Sequence, residues 1–587
     1  MKKKAFILLC IAGISACINV APAQNVKLND SGYFESRGVE VHLYDGPEGI
    51  RIYQKDNPVA LGGGVRVDSG PQTVESLNPN LAGNKLEIKF SCSDYPYYLK
   101  AETRGLGLAL SVFLTSPLPE NLEGKLSLGL DFVPGLYLGK NCIVDGTPGI
   151  IPEKASSGRS LVLCPEDDNI RISLKSDSEI RLEGSENALR AYSVVPSGKV
   201  GAVVEWYVEP SYNSRWSRGA DLTYSHIGYS TGQSKKAVIE IDAKDSVSPH
   251  VSVYKVNEDG YRQLVYQPAV KRWGASGERG TYLTADISIV REPGVYCVEY
   301  DKVQSGVFPV SPDVYAGKWC GALEWLAANV GDGCAGPEKM MLSLADIWES
   351  FRPEADSDAD GRPDVIEMLE TLTRSLVDGN VFSSNVSAEL RFARVSALAA
   401  AGRVLRGFSD ELAKKAQSYA DLLWKASGQL SSGNRLDAAI QMWYTTSEAS
   451  YKTLLSSALS KNLSSEEDFY RALEIYPLMD SKFRKKFQAV LPDRISGMKA
   501  EAGSTPFGIP SLEGDELTAW ALRYYLLWKR FPDNVDPTAL LNALATIYGN
   551  HSYADARFLE SLGTERIPDF VKLSLACERV AGIAEIK

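Results

Sequence analysis

The hydrophobic period of this chain changes near Pro312, so its two parts cannot be organised by one kind of secondary structure. Upstream, short runs such as VEVHLYDGPEGIRIYQ, KLEIKFSCSD, IRISLKS and VGAVVEWYVEP alternate apolar and polar residues between Gly, Pro, Asn and Asp. A period of two with frequent turn residues predicts antiparallel strands with one buried face. Downstream, WCGALEWLAANV, EKMMLSLADIWESF, VIEMLETLTRSLV, ELRFARVSALAAAGRVL and DELAKKAQSYADLLWKAS repeat their apolar residues at the spacing of one helix face. At 587 residues the chain exceeds what one core organises, so several modules are expected.

The strand-rich part divides near Leu222. Residues 24–220 are expected to form an N-terminal β-sandwich. LTYSHIGYSTGQSKKAVIEI then opens a second unit that closes with PGVYCVEYDKVQSGVFPV, and residues 221–311 suit an immunoglobulin-like β-sandwich. Residues 312–587 are helical, and period alone leaves bundle, solenoid and ring open.

Residues 1–23 read as a leader, with a basic start, an apolar run from Ala5 to Ala16 and small residues at Ala21-Pro22-Ala23. The same stretch contains Ile14-Ser15-Ala16-Cys17, which suits acylation. A cleaved signal and a lipid anchor at Cys17 are both open, and both imply export to the periplasm or the outside. No later run is long and apolar enough to span a bilayer. The net charge of −11, without a Lys/Arg cluster, argues against nucleic acid and for a neutral or cationic ligand. Of nine cysteines two fall in the leader, and the rest are scattered without a CxxC pair, which argues against zinc. An odd remainder leaves at least one thiol free and one or two disulfides open.

One local pattern carries chemistry by itself. DSDADGRPDVIE places Asp356, Asp358 and Asp360 at positions one, three and five of a calcium loop. Gly361 follows at six, the Arg362 carbonyl at seven, Asp364 at nine and Glu367 at twelve. Ca2+ takes six to eight hard oxygens, and Glu at the last position can give two. Pro363 stands where a paired loop carries a hydrophobic residue, so the site would be single and structural. The other reading is a solvated acidic turn in which Asp364 caps the next helix.

SHIGYSTGQSKKAVIEI and TADISIVREPGVYCVEYDKVQSGVFPVSPDVY, with Gly228-Tyr229, Pro293-Gly294-Val295-Tyr296, Phe308 and Asp313-Val314-Tyr315, resemble the immunoglobulin-like module before the catalytic domain of glycoside hydrolase family 9. GRPDVIEMLETL, AELRFARVSALAAAGRVL, LDAAIQMWYTTSEASY, STPFGIP and IYGNHSY follow in that family's order. The resemblance covers Leu222 to the C-terminus and implies an (α/α)6 toroid behind the sandwiches, with β-glucan or another polysaccharide as partner.

The resemblance also implies an inverting O-glycosyl hydrolase of the cellulase type, in which one carboxylate activates water and a carboxylic acid protonates the leaving oxygen. The segment expected to carry the Asp-Ala-Gly-Asp base motif is missing here, so the toroid is expected to be shortened and catalysis is in question. Asn329-Val330-Gly331-Asp332 is the nearest imitation, with Asp332 as candidate base and Asn329 as water-positioning residue. Glu565 is the candidate acid, without the family's Asn-Trp-Asn-Ala-Pro context. His551 is the candidate sugar-binding residue where the family has a His-His-Arg stretch. A family 9-type glycosidase and a non-catalytic glycan-binding or scaffold protein are the two functions to separate.

Overall fold

The computed structural model describes residues 26–586 apart from 69–71, 152–154, 186, 213–215, 243–244, 277–279, 331–335, 380–381, 383–385, 428–432 and 550–555. The leader and Cys17 lie outside the described residues. The chain forms two compact units, Met1–Arg218 and Gly219–Lys587.

In the first unit one antiparallel sheet holds sixteen strands. Its main path runs from Lys27–Leu28 through Phe34–Ser36, Val39–Leu43, Ile50–Gln54 and Asn57–Val67 to Leu126–Phe132. It continues through Ala188–Val194, Ile172–Ser185, Gly201–Pro210, Gly107–Leu114, Tyr95–Arg104 and Lys85–Cys92 to Thr73–Asn80. Alternation is direct: Val39–Leu43 and Ile50–Gln54 bury every second residue. Both arms share one core, in which Phe34 and Ile52 join Ile88, Leu99, Leu174 and Trp206. A twisted sheet of this length curls on itself.

The expected N-terminal sandwich is therefore corrected to one continuous thirteen-strand path with three further strands attached. Ile172–Ser185 shows how the ladder avoids breaking. It pairs with Gly201–Pro210 over its first residues and with Ala188–Val194 over its last. Alternation reports which face is buried; it does not report where a ladder ends. Gly63 and Gly64, at φ 132° and 104°, let Asn57–Val67 lie close to its neighbours. A Cβ on Gly63 would collide with the Gly129 carbonyl oxygen, and one on Gly64 with the Tyr44 hydroxyl.

The second unit begins with a β module of two sheets over one core. Asp221–Thr223, Lys236–Asp242, Gly280–Asp286 and Lys271–Ser276 form one, and Arg262–Tyr266, Ser252–Val256, Gly294–Tyr300, Val303–Gln304 and Phe308–Val310 the other. Ile239, Leu283, Val253, Val298 and Phe308 meet between them.

Helix α1 (Pro134–Tyr137) is a single turn in the first unit. The others belong to the second: α2 (Cys320–Asn329), α3 (Pro337–Phe351), α4 (Asp364–Asp378), α5 (Ala388–Val404), α6 (Asp410–Ser427) and α7 (Asn434–Thr446). After them come α8 (Ala449–Leu459), α9 (Glu466–Ile475), α10 (Ser481–Ala502), α11 (Gly514–Arg530), α12 (Thr538–Tyr548), α13 (Ala556–Leu562) and α14 (Ile567–Ile586). Helix α5 starts where the Ser387 hydroxyl accepts from Leu390 N–H at 3.2 Å. Its run of Ala and Gly lets neighbours approach closely; a Cβ on Gly402 would sit 3.0 Å from the Ala413 carbonyl oxygen.

Helices α3, α5, α7, α9, α11 and α14 pack each on the next, and α14 returns to α3. The expected shortening is thus also corrected, because the ring closes with six helices although only residues 330–336 join α2 to α3. What a compact connection removes is loop, and ring closure depends on helix faces. Ile227 of the β module and Tyr315 share the ring's core, and the Tyr315 hydroxyl lies 3.0 Å from Gln233 Oε1. Cys92, Cys142, Cys164, Cys297, Cys320 and Cys577 are free thiols, and Cys334 lies outside the described residues. No helix among the described residues is long and apolar enough to cross a membrane.

Candidate functional site

Helix α3 stops where Arg352 turns left-handed (φ 51°), and α4 starts at Asp364 behind Pro363. Between them Asp356, Asp358 and Asp360 bring carboxylate oxygens within 4.8 Å of one another. The loop's own N–H groups hold this shape. Gly361 donates to Asp356 Oδ2 at 2.8 Å, Asp360 to Asp356 Oδ1 at 3.1 Å, and Arg362 to Asp360 Oδ1 at 2.7 Å. Ala359 and Gly361 take the left-handed turns, at φ 60° and 88°.

Asp364 is 2% exposed. Its Oδ1 accepts from the Ser357 N–H and hydroxyl at 2.9 and 3.0 Å, while Oδ2 is buried with no hydrogen-bond partner. Burial and the charges of Asp360 and Asp358 raise the Glu367 pKa above its ordinary value, with Arg362 opposing. The Arg362 guanidinium is engaged by Glu370 at 2.5 Å, which leaves its carbonyl as the oxygen it offers. The donor set is hard oxygen throughout, which suits Ca2+ and not a soft metal. Asp364 and Glu367 are not in the group of carboxylates that converge within 4.8 Å.

Of the expected catalytic residues, Glu565 and Asn329 are among the described residues. Glu565 stands exposed in the turn before α14, next to Arg566, which pairs with Asp515 at 3.0 Å. Asn329 ends α2 and donates its side-chain N–H to the Trp325 carbonyl at 2.7 Å, a local capping bond. Asp332 and His551 lie outside the described residues.

The ring axis carries a charged cluster that the sequence did not single out. Asp346 of α3 is engaged by the Lys572 ammonium of α14 and accepts from the Ser350 hydroxyl at 3.0 Å. Their side chains keep 42% and 25% of their surface accessible, so water reaches between the ring helices. Asp569, one turn before Lys572 on α14, faces Lys339 at 3.7 Å. Burial and the Asp346 charge push Glu474 of α9 up to about 7. Burial likewise raises Asp569, with Lys339 and Lys572 opposing. Burial also works to raise Asp346, but Lys572 and Ser350 outweigh it and hold the carboxyl below its usual range.

Toward the C-terminal ends of the ring helices, Arg403 makes a bidentate pair with Glu349 at 2.5 and 2.7 Å and reaches Thr445 Oγ1 at 2.9 Å. Arg579 donates to the Ser350 carbonyl at 2.6 Å. Neighbouring carboxyls with pKa values driven apart are what acid–base chemistry needs. The sequence signal was present as charges inside apolar helix faces, in LSLADIW, RALEIY and PDFVKLSL. Its meaning depends on helices far apart in the chain.

No family profile and no curated protein match the chain. Solved structures do. A metagenome-derived glycoside hydrolase family 9 endoglucanase is 15% identical, with a TM-score of 0.44, covering 56% of this chain and 82% of its own. A Bacteroides ovatus family 9 protein is 12% identical, with a TM-score of 0.45, covering 61% of this chain and 99% of its own. A single-substitution thermostable endoglucanase from Alicyclobacillus acidocaldarius is 14% identical, with a TM-score of 0.43, covering 58% and 83%. The first two of these solved structures are described as glycoside hydrolase family 9 proteins, the family that the sequence resembles from Leu222 onward.

Proposed function

We propose that the chain is an exported protein of polysaccharide metabolism, built on the glycoside hydrolase family 9 plan, that binds β-glucan without cleaving it. The observation that carries this reading is the setting of Glu565. A general acid must reach the leaving oxygen of a substrate held in a cleft, and Glu565 stands exposed in a turn. Asn329, the proposed water-positioning partner of Asp332, has its amide on the Trp325 carbonyl. In the same proposal Ca2+ is held by Asp356, Asp358 and Asp360, the Arg362 carbonyl, Asp364 and Glu367, and it pins α3 to α4. The ion supplies charge neutralisation there and no catalytic step.

One observation favours turnover instead. Glu474, pushed up to about 7, and Asp346, held low, are the protonated and ionised carboxyls that an inverting hydrolase pairs. Against it, Asp346 already serves Lys572 and Ser350. Incubation of the mature protein with a β-glucan panel, read as reducing ends and as affinity-gel retardation, separates the two. Retardation without reducing ends is expected. Turnover abolished by Glu565→Gln would restore the family's acid, with Asp332 as base and His551 on the sugar. Turnover abolished by Glu474→Gln would move the acid to the ring axis.

A further inference from the structure

We propose that a cavity in the second unit, between the β module and the segment from the end of α10 to α12, binds a neutral oligosaccharide. The inference rests on the glycan-binding reading and gives it a location away from the ring axis. The cavity measures about 1010 Å3. It is bounded by strands Asp221–Thr223, Lys236–Asp242 and Lys271–Ser276 on one side, and by the end of α10, the loop of residues 505–509 and α12 on the other. That volume stands at the upper end of small-ligand clefts, about 300–1,000 Å3, and fits a chain of several sugar rings.

Its chemistry is that of a saccharide subsite. Trp273 keeps 42% of its surface open. Its indole meets Tyr282 edge-on, with ring centroids 6.3 Å apart, and Tyr282 meets Phe507 of the opposite wall at 5.7 Å. The aromatic platform is thus braced across the cavity before any ligand arrives, so little rotamer freedom remains to be lost on binding. Ser225 lines the same space through its other atoms, since its Oγ is closed to it.

Charge selects the class. Asp221 and Asp536 line the cavity together with Lys236, Lys499 and His226. Asp536 is further occupied by the Thr538 N–H and hydroxyl at 2.9 and 2.8 Å. A net-charged ligand gains nothing from such a balance, whereas a pyranose offers an apolar face to Trp273 and hydroxyls to the polar rim.

The test is calorimetric titration of the full chain with cellohexaose and with soluble mixed-linkage β-glucan. Trp273→Ala is expected to weaken binding about tenfold or more, and Trp273→Phe to recover part of it. If the wild-type chain binds saccharide and Trp273→Ala binds equally well, the cavity is not the site and only this inference falls. If the wild-type chain binds neither probe, the inference falls together with the glycan-binding reading.

Discussion

Replacing Asp356, Asp358 and Asp360 together with Asn should invert its effect on stability with calcium. The three carboxylates approach within 4.8 Å of one another. At that distance two unit charges repel by ~1 kcal/mol in a water-like dielectric, and by about half as much at physiological salt. Three such pairs make the chelated wild-type loop roughly 1–2 kcal/mol less favourable than the Asn variant. An ion bound only by the folded state adds about 2.7 kcal/mol when its concentration is 100 times Kd. Calcium should therefore raise the wild-type melting temperature by about 4 °C, given an unfolding entropy of ~2 cal/mol/K per residue over the unit Gly219–Lys587. The variant should melt above the wild type in chelator, below it in saturating calcium, and show no response to the ion. Scanning calorimetry of both proteins in both buffers checks the crossing. A wild type indifferent to chelator would refute the calcium loop and leave an acidic turn held to Asp364 through Ser357.

Lys572→Met should cost about 1–2 kcal/mol at neutral pH, a discounted value because Asp346 and Lys572 are partly solvated, and adding Asp346→Asn should recover most of it. Chemical denaturation of the single and double variants is the check, and a neutral single variant would mean that the pair does not stabilise the ring. Glu474 binds its proton more tightly folded, at about 7, than unfolded near 4.5, so its contribution to stability falls as pH rises from about 4.5 to 7. Glu474→Gln should accordingly gain about 3 kcal/mol on the wild type above pH 7 and match it near pH 4, read as melting temperature against pH. In the first unit, Gly63→Ala should cost more than ~2 kcal/mol because its Cβ meets backbone, while Gly124→Ala, at φ 71° with nothing within 4 Å, should cost about 1 kcal/mol.

What was legible in the chain was local. The two-residue alternation of VEVHL and IRIYQ predicts the buried faces of Val39–Leu43 and Ile50–Gln54, and both bury every second residue. The helical spacing of ELRFARVSALAAAGRVL predicts α5, which runs from Ala388 to Val404. The acidic loop could be read because all its oxygens lie within twelve residues. Strand pairing could not be read that way. Nothing in IRISLKSDSEIRLEGS says that its first residues pair with Gly201–Pro210 and its last with Ala188–Val194, which is why two sheets were expected where one exists. Missing loop sequence after α2 was taken for missing barrel, although ring closure is a matter of helix faces.

The sequence by itself determined the change from strand to helix near Pro312, the turn at Gly361, and a cluster of oxygens with calcium spacing. These depend on covalent geometry and on neighbours within one or two turns, which the chain carries with it wherever it folds. The tertiary structure alone decided that Asp346 and Lys572, on helices 226 residues apart in sequence, share a solvated ring axis with Glu474. It also decided that Trp273 and Phe507 face one cavity across two layers. A carboxyl's proton affinity and a cleft's lining are set by whatever packs around them, and that company exists only after residues distant in the chain have met.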